Sequence, residues 1–427
     1  MRLVTLAVLA VAHVIATAAP ILPVDEAVRI AEDNSYAIKI RESARRQALD
    51  NLNLTQGGLG PRVILGANYT RFDRPSPGPF GGPIDQKSLS LTVGFSVDIG
   101  GYIGLAVKAA SAARLASDFN LKSEINGIKG QVRTAYYQIV FALWGVRTEE
   151  RGLENARARL KNAQAFFEQG ALARFDVLRL ETEVTRAEAR LVEAQNQVTL
   201  SKAALNNLLA RPVGTEFEIQ EELPIPSSPA AESELSELAQ QTRPEIQALK
   251  NASQSIEFQR KGEKRATAPQ LEVGLVGTQR IDKGPFEREN GVVGQVNLTW
   301  TLLDSGVTKN RMRSLEEQRI QNELLTEQTQ LAIRLQVRQA RLNLDNATEQ
   351  LRLSTKQLTE AQEAYRLAAL LFDNGRGILL DVTTAQENLL RAEGAFNIAR
   401  FSYLTAYAAL QQAVGRDDLP PMPTQEQ

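Results

Sequence analysis

Two stretches decide the fold. The first is Phe167-Glu168-Gln169-Gly170-Ala171-Leu172-Ala173-Arg174-Phe175-Asp176-Val177, and the second is Phe372-Asp373-Asn374-Gly375-Arg376-Gly377-Ile378-Leu379-Leu380-Asp381-Val382. Phe, Gly, Asp and Val recur at the same spacing, and the two copies lie 205 positions apart. Each stretch has a glycine at its centre and is flanked by long helical patterns, so each reads as a tight turn between two helices.

Outward from the turns the offset persists. Val132, Ile139, Val146, Leu153, Leu160 and Phe167 recur every seven residues, and Val337, Leu344, Leu351, Leu358, Tyr365 and Phe372 repeat the row 205 positions later. Small residues fill a second seam: Ala135, Ala142, Ala156 and Ala163 against Ala340, Ala347, Ala361 and Ala368. Beyond the turns, Val177, Val184, Leu191, Val198 and Leu205 match Val382, Leu389, Phe396, Tyr403 and Leu410, with Ala187 and Ala194 against Ala392 and Ala399. A sustained seven-residue repeat is the pattern of coiled-coil packing, and small residues at one seam let backbones approach closely. One amphipathic stripe would fit a globular core; four stripes in two matched pairs indicate a duplicated helical hairpin. From Gly101 to Phe167 and from Gly306 to Phe372 little interrupts the helix except Gly127 and Gly130. At 1.5 Å per residue each run extends roughly 100 Å, which suits a tube or stalk.

Before each long helix lies a pair of alternating segments, expected as strands over 61–74 and 87–100 in the first half and 269–281 and 291–304 in the second. Leu89, Leu91, Val93, Phe95, Val97 and Ile99 alternate with Ser88, Ser90, Thr92, Ser96 and Asp98; Val292, Val296, Leu298, Trp300 and Leu302 oppose Gln295, Asn297, Thr299 and Thr301. Alternation gives one apolar and one polar face. The helices already have seams of their own to fill, so an apolar face against lipid and a polar face against water fits these strands better than a soluble sheet. Breaker-rich loops, Pro75 to Pro83 and Asp282 to Asn290, join each pair and are expected outside the cell. Four strands cannot close a pore, and open edges are not tolerated in lipid, so the barrel must be shared between chains.

Composition narrows the compartment and chemistry. Arg2, an apolar run from Leu3 to Ile15 and Ala16-Thr17-Ala18 describe a secretory signal peptide over residues 1–18. No later stretch reaches the roughly eighteen apolar residues of a membrane-spanning helix. The chain has no cysteine, and its one histidine, His13, lies in the signal peptide. Disulfides, a cysteine-borne lipid anchor and the commonest general base are thereby absent from the mature chain, no cofactor or metal motif stands out, and an enzyme is not expected. A formal net charge of −1 gives no reason to expect a nucleic-acid partner.

The duplicated plan, the turns at Asp176 and Asp381, and the junctions ending in Gly101 and Gly306 resemble the TolC-like outer-membrane efflux protein family. The run from Trp300 through Thr301, Leu302, Leu303, Asp304 and Ser305 to Gly306 is similar to that family's most recognisable short motif. The resemblance implies an α+β membrane protein: a homotrimer whose chains give four strands each to a twelve-stranded β-barrel in outer-membrane lipid, continuous with a long α-helical coiled-coil barrel in the periplasm of a Gram-negative cell. It implies a periplasmic adaptor and an inner-membrane pump of the RND, ABC or MFS type as partners, and passive efflux of small molecules or drugs with iris-like opening at the tips. Type I protein secretion uses the same channel shape. A periplasmic structural or adaptor coiled-coil protein is the reading from another class, and the duplicated strand pairs argue against it.

On this plan the first repeat runs over 19–211, a Pro-, Glu- and Ser-rich equatorial linker over 212–241, the second repeat over 242–415 and a tail over 416–427. Asp176 and Asp381 could ring the channel gate with carboxylates, or simply cap the helices they precede. Gly170 and Gly375 are expected at the adaptor-docking tips. The family's latch positions carry Phe372, Gly377 and Thr384 here, leaving Arg174, Arg179 or Arg376 to hold an alternative ion pair.

Overall fold

The computed structural model describes residues 21–71, 73, 85–170, 172–226, 229–281, 290–374 and 376–420. The expected signal peptide, nearly all of the two breaker-rich loops, Gly375 and the last seven residues of the tail lie outside them. In order, the elements are β1 (Ile21–Leu22), α1 (Val24–Asn34), α2 (Tyr36–Gly57), β2 (Arg62–Arg71), β3 (Asp85–Val97), α3 (Tyr102–Glu168), α4 (Arg174–Leu208), β4 (Glu218–Ile219), α5 (Glu232–Thr242), α6 (Pro244–Glu263), β5 (Gln270–Arg280), β6 (Asn290–Thr299), α7 (Val307–Asp373) and α8 (Leu379–Val414). Helices α3 and α7 are both 67 residues long.

One expectation needs correction. The segment 212–241 is not merely a linker, because most of α5 falls inside it. Leu235 and Ala239, one turn apart, are fully buried there, and Pro244 starts α6 with its missing N–H at a position where none is needed. Helices α5 and α6 therefore repeat α1 and α2, and the second repeat begins before 242.

The chain forms two compact units. One takes the described residues up to 35, from 128 to 228 and from 340 to 410; the other takes 36 to 127, 229 to 339 and those beyond 410. The second unit holds the sheet, antiparallel throughout in the order β2-β3-β5-β6. Its register sets Leu65 opposite Leu91, Val93 opposite Leu275, Phe95 opposite Val273, and Val273 opposite Val296. All the alternating apolar residues thus share one face. That face is uncovered: Leu91, Phe95, Val296 and Leu298 are exposed, whereas Ser90, Thr92 and Ser96 are half-buried. A soluble sheet would show the reverse. The outer strands β2 and β6 have no partner along their outer edges within the chain.

The helices of this unit neighbour one another in the same order as the strands. Arg41 and Arg45 of α2 pair with Glu124 and Asp118 of α3 at 3.1 and 2.7 Å. The Ser255 hydroxyl of α6 donates to the Ala109 carbonyl of α3 at 2.8 Å, and Asn322 of α7 donates to the Leu249 carbonyl of α6 at 2.9 Å. At the strand-to-helix junctions Gly101 and Gly306 have φ of +68° and +84°, a region that favours glycine. Asp304 accepts from the backbone N–H groups of Gly306 and Thr308 at 3.0 and 2.8 Å, which starts α7.

In the first unit the core gathers on Val132, Tyr136, Ile139, Leu180, Leu205, Leu344 and Leu410, all at most 1% exposed. The Tyr136 hydroxyl donates to the Leu22 carbonyl and accepts from the Gln220 N–H, tying together the short parallel pair β1 and β4.

Candidate functional site: the hairpin tips and the coiled coil behind them

Both turns belong to the first unit. In the first, α3 ends at Glu168 and Gly170 takes φ of +75°, with its N–H donating to the Phe167 carbonyl at 2.9 Å. A β-branched residue would be strained there. In the second, the N–H groups of Arg376 and Gly377 both donate to the Leu371 carbonyl, at 2.9 and 3.0 Å. A Cβ added at Gly377 would lie 3.0 Å from the Phe372 nitrogen and 3.2 Å from the Leu371 carbonyl carbon. Gly377, read in the sequence only as a lost latch, is thus required by the close approach of the chain to the last turn of α7. Gly375 lies outside the described residues.

Asp176 and Asp381 sit in the first turns of α4 and α8, at the third helical position of each. The N-cap of α4 is Ala173, with no side-chain bond, so Asp176 does not cap the helix in the expected way. Each carboxylate still faces the positive end of a helix dipole. Asp176 is half-buried, Asp381 is exposed, and neither carboxylate has a hydrogen-bond or ion-pair partner among the described residues. The valines that follow, Val177 and Val382, are buried and anchor the turns. Of the arginines considered for an alternative pair, Arg174 lies 3.7 Å from Glu181 within its own helix.

The contacts between hairpins lie above the tips. Phe166 of α3 meets Phe372 of α7 edge to face, with ring centroids 5.9 Å apart. One heptad higher, Arg159 of α3 hydrogen-bonds Tyr365 of α7 and lies 3.9 Å from Glu183 of α4. Burial pulls the Arg159 guanidinium below its usual range, opposed by Tyr365 and Glu183. On α8, Glu393 pairs with Arg151 of α3 at 3.3 Å, and burial pushes its carboxyl above the usual carboxylate range. Arg400 lies over the Trp144 ring at 4.2 Å. None of these buried groups stands out in the sequence, where charged residues on long helices read as solvated. A conduit needs no reactive group, only walls and a constriction that can change, and this arrangement supplies such parts.

The model of the family described as outer membrane efflux protein matches residues 27–211 and 235–416. The chain is 23% identical over 381 residues to the alkaline protease secretion protein AprF of Pseudomonas aeruginosa, covering 85% of this chain and 78% of the relative. It is 24% identical over 315 residues to the cobalt-zinc-cadmium resistance protein CzcC of Cupriavidus metallidurans, covering 72% of each. Among solved structures, CusC superimposes with a TM-score of 0.79 at 15% identity over 92% of both chains. The open state of the MtrE outer membrane channel of Neisseria gonorrhoeae gives 0.76 at 18% identity over 94% of this chain and 91% of that one. With the matched model covering both repeats, the chain belongs to the outer membrane efflux protein family, and is an outer-membrane export channel that spans into the periplasm, not an enzyme.

Proposed function

We propose that three copies of this chain close a twelve-stranded barrel and the helical tube beneath it, forming the passive outer-membrane conduit of a tripartite efflux system for small molecules or drugs. The observation that carries the reading is the four-stranded sheet, with its apolar face bare and both β2 and β6 lacking outer partners. Backbone groups on such edges must find partners in lipid, and a neighbouring copy offers β6 to β2. The flanking helices carry matching exposed stripes: Ile320, Leu324, Leu331 and Leu335 on α7, and Tyr36, Ile40 and Leu54 on α2. Asp176 and Asp381 then form carboxylate rings at the gate, attracting cations and repelling anions. Gly170 and Gly375 shape the tips that receive the adaptor, which links the channel to an inner-membrane pump. Type I protein secretion is the second reading, favoured by the extent of the match to a protease secretion protein.

The absence of cysteine makes the test clean. A cysteine at Leu65 in β2 is combined in turn with one at Val292, Val296 or Leu298 in β6. At least one pairing is expected to give an oxidised ladder ending at a trimer, and no intermolecular cross-link in any pairing would refute the shared barrel. Deleting the gene and measuring drug and metal tolerance beside the secreted protein profile separates the two cargo readings.

A further inference from the structure

We propose that the seam between α3 and α8 is the plane along which the lower coiled coil parts when the tips open, and that a heptad row of half-satisfied polar groups on α8 makes it so. The proposal rests on the conduit reading above and names where its moving joint lies.

Gln386, Glu393 and Arg400 follow one another at seven-residue spacing, so they share one face of α8. Gln386 and Glu393 are 4% and 7% exposed. Each of the three residues leaves one buried polar atom without a partner: Gln386 Oε1, Glu393 Oε2 and Arg400 Nε. From Glu393 upward the opposing face is α3. Arg151 reaches Glu393 Oε1 at 3.3 Å, Thr148 Oγ1 accepts from Asn397 Nδ2 at 3.3 Å, and the Trp144 ring lies beneath Arg400. Gly152 completes this face, since a Cβ there would come within 3.3 Å of Leu390 Cδ2.

The internal duplication provides a control. The positions 205 residues earlier on α4 are Glu181, Glu188 and Gln195. Glu181 and Glu188 are 40% and 48% exposed and have partners in Arg174 and Arg157. The same heptad place is solvated on α4 and buried on α8. A buried polar atom without a partner has lost its water and gained nothing in return. Parting α8 from α3 readmits water to three such atoms at once, so the closed packing is penalised relative to the open one. A partner that binds the open form needs correspondingly less differential affinity to shift the balance.

The test compares two variants in planar bilayers and in an export assay. Gln386→Leu with Glu393→Leu makes the α8 row apolar; Glu188→Leu with Gln195→Leu does the same on α4. The α8 variant is expected to assemble, to melt at a higher temperature, and to open and export about tenfold less, because replacing half-satisfied buried polar groups by apolar ones favours the closed packing. The α4 variant should open as the wild type does. Unaltered opening in the α8 variant, or an equal loss in the α4 variant, overturns the seam. Hydrogen exchange on the unmutated trimer gives a reading that no misfolded variant can obscure. Backbone amides from 386 to 400 should exchange about tenfold faster than those from 181 to 195, and equal or slower exchange overturns the proposal. A wild-type protein that forms no channel would refute the conduit reading instead.

Discussion

Leu91 and Thr92 are adjacent residues that the sheet sends to opposite faces, and this makes a sharp test of which face meets lipid. Leu91 is the seventh of thirteen residues in β3, an inner strand. Its cross-strand neighbours are Leu65 and Gly277, and its side chain is exposed. With glycine on one side, an arginine replacing Leu91 meets no clash, so its effect reports solvation rather than overpacking. Placing arginine at the midplane of the lipid face of a barrel costs about 2–4 kcal/mol, which is roughly a 30- to 900-fold change in the folding equilibrium of each protomer. Thr92, opposite Ile64 and Val276 on the other face, should accept arginine at little cost. Urea unfolding in lipid vesicles, followed by loss of the heat-sensitive oligomer on gels, measures both. Equal stability of Leu91→Arg and Thr92→Arg, or a larger loss for Thr92→Arg, would refute the assignment of the apolar face to lipid.

Two further predictions concern the helical part. Tyr136→Phe removes the hydroxyl between the Leu22 carbonyl and the Gln220 N–H. It should cost about 1–3 kcal/mol and speed exchange of the Gln220 amide, and an unchanged melting temperature would contradict it. Glu393 has a carboxyl pushed up by burial, so the folded state holds that proton more tightly than the unfolded chain does. Its ionisation therefore weighs against folding at pH values above the folded pKa, and the penalty is relieved as pH falls from there toward the ordinary glutamate value. Glu393→Gln should flatten the melting temperature over that window, and a pH profile parallel to the wild type would show that the carboxyl is not perturbed.

Much of this architecture is legible in the residues because two independent periods are written twice. The heptads of α3 and α7 place Val132 and Val337 in the buried seam, and the alternation through Leu89 to Val97 places the bare face of β3. Helix α5 is harder to see, since Glu232, Ser233, Glu234 and Ser236 read as a loop and only Leu235 and Ala239 reveal the buried side. The polar row on α8 cannot be read at all. Glu188 and Glu393 occupy equivalent heptad positions with the same side chain, and only the packing of a neighbouring helix leaves one in water and buries the other. Gly377 escapes for a similar reason: its need for a missing Cβ arises from a through-space approach to Phe372 and Leu371 within the fold.

The duplication also indicates which parts tolerate change in length. Helices α1 and α2 begin 208 residues before α5 and α6, and β2 begins 208 residues before β5. After the strand loops the offset becomes 205: β3 and β6, α3 and α7, and α4 and α8 all begin that far apart. The whole difference falls between the two strands of a pair, in the segments 72–84 and 281–289. A change of three residues at that end leaves every ladder contact and heptad in place, whereas the same change within α3 would turn its seam by most of a helical turn. The two repeats thus keep one length wherever strands and helices must stay in step with their neighbours, and differ in length only where nothing has to be matched. That is the pattern expected if both repeats are built into one continuous wall, with loops free at one end and hairpin tips held to a common level at the other.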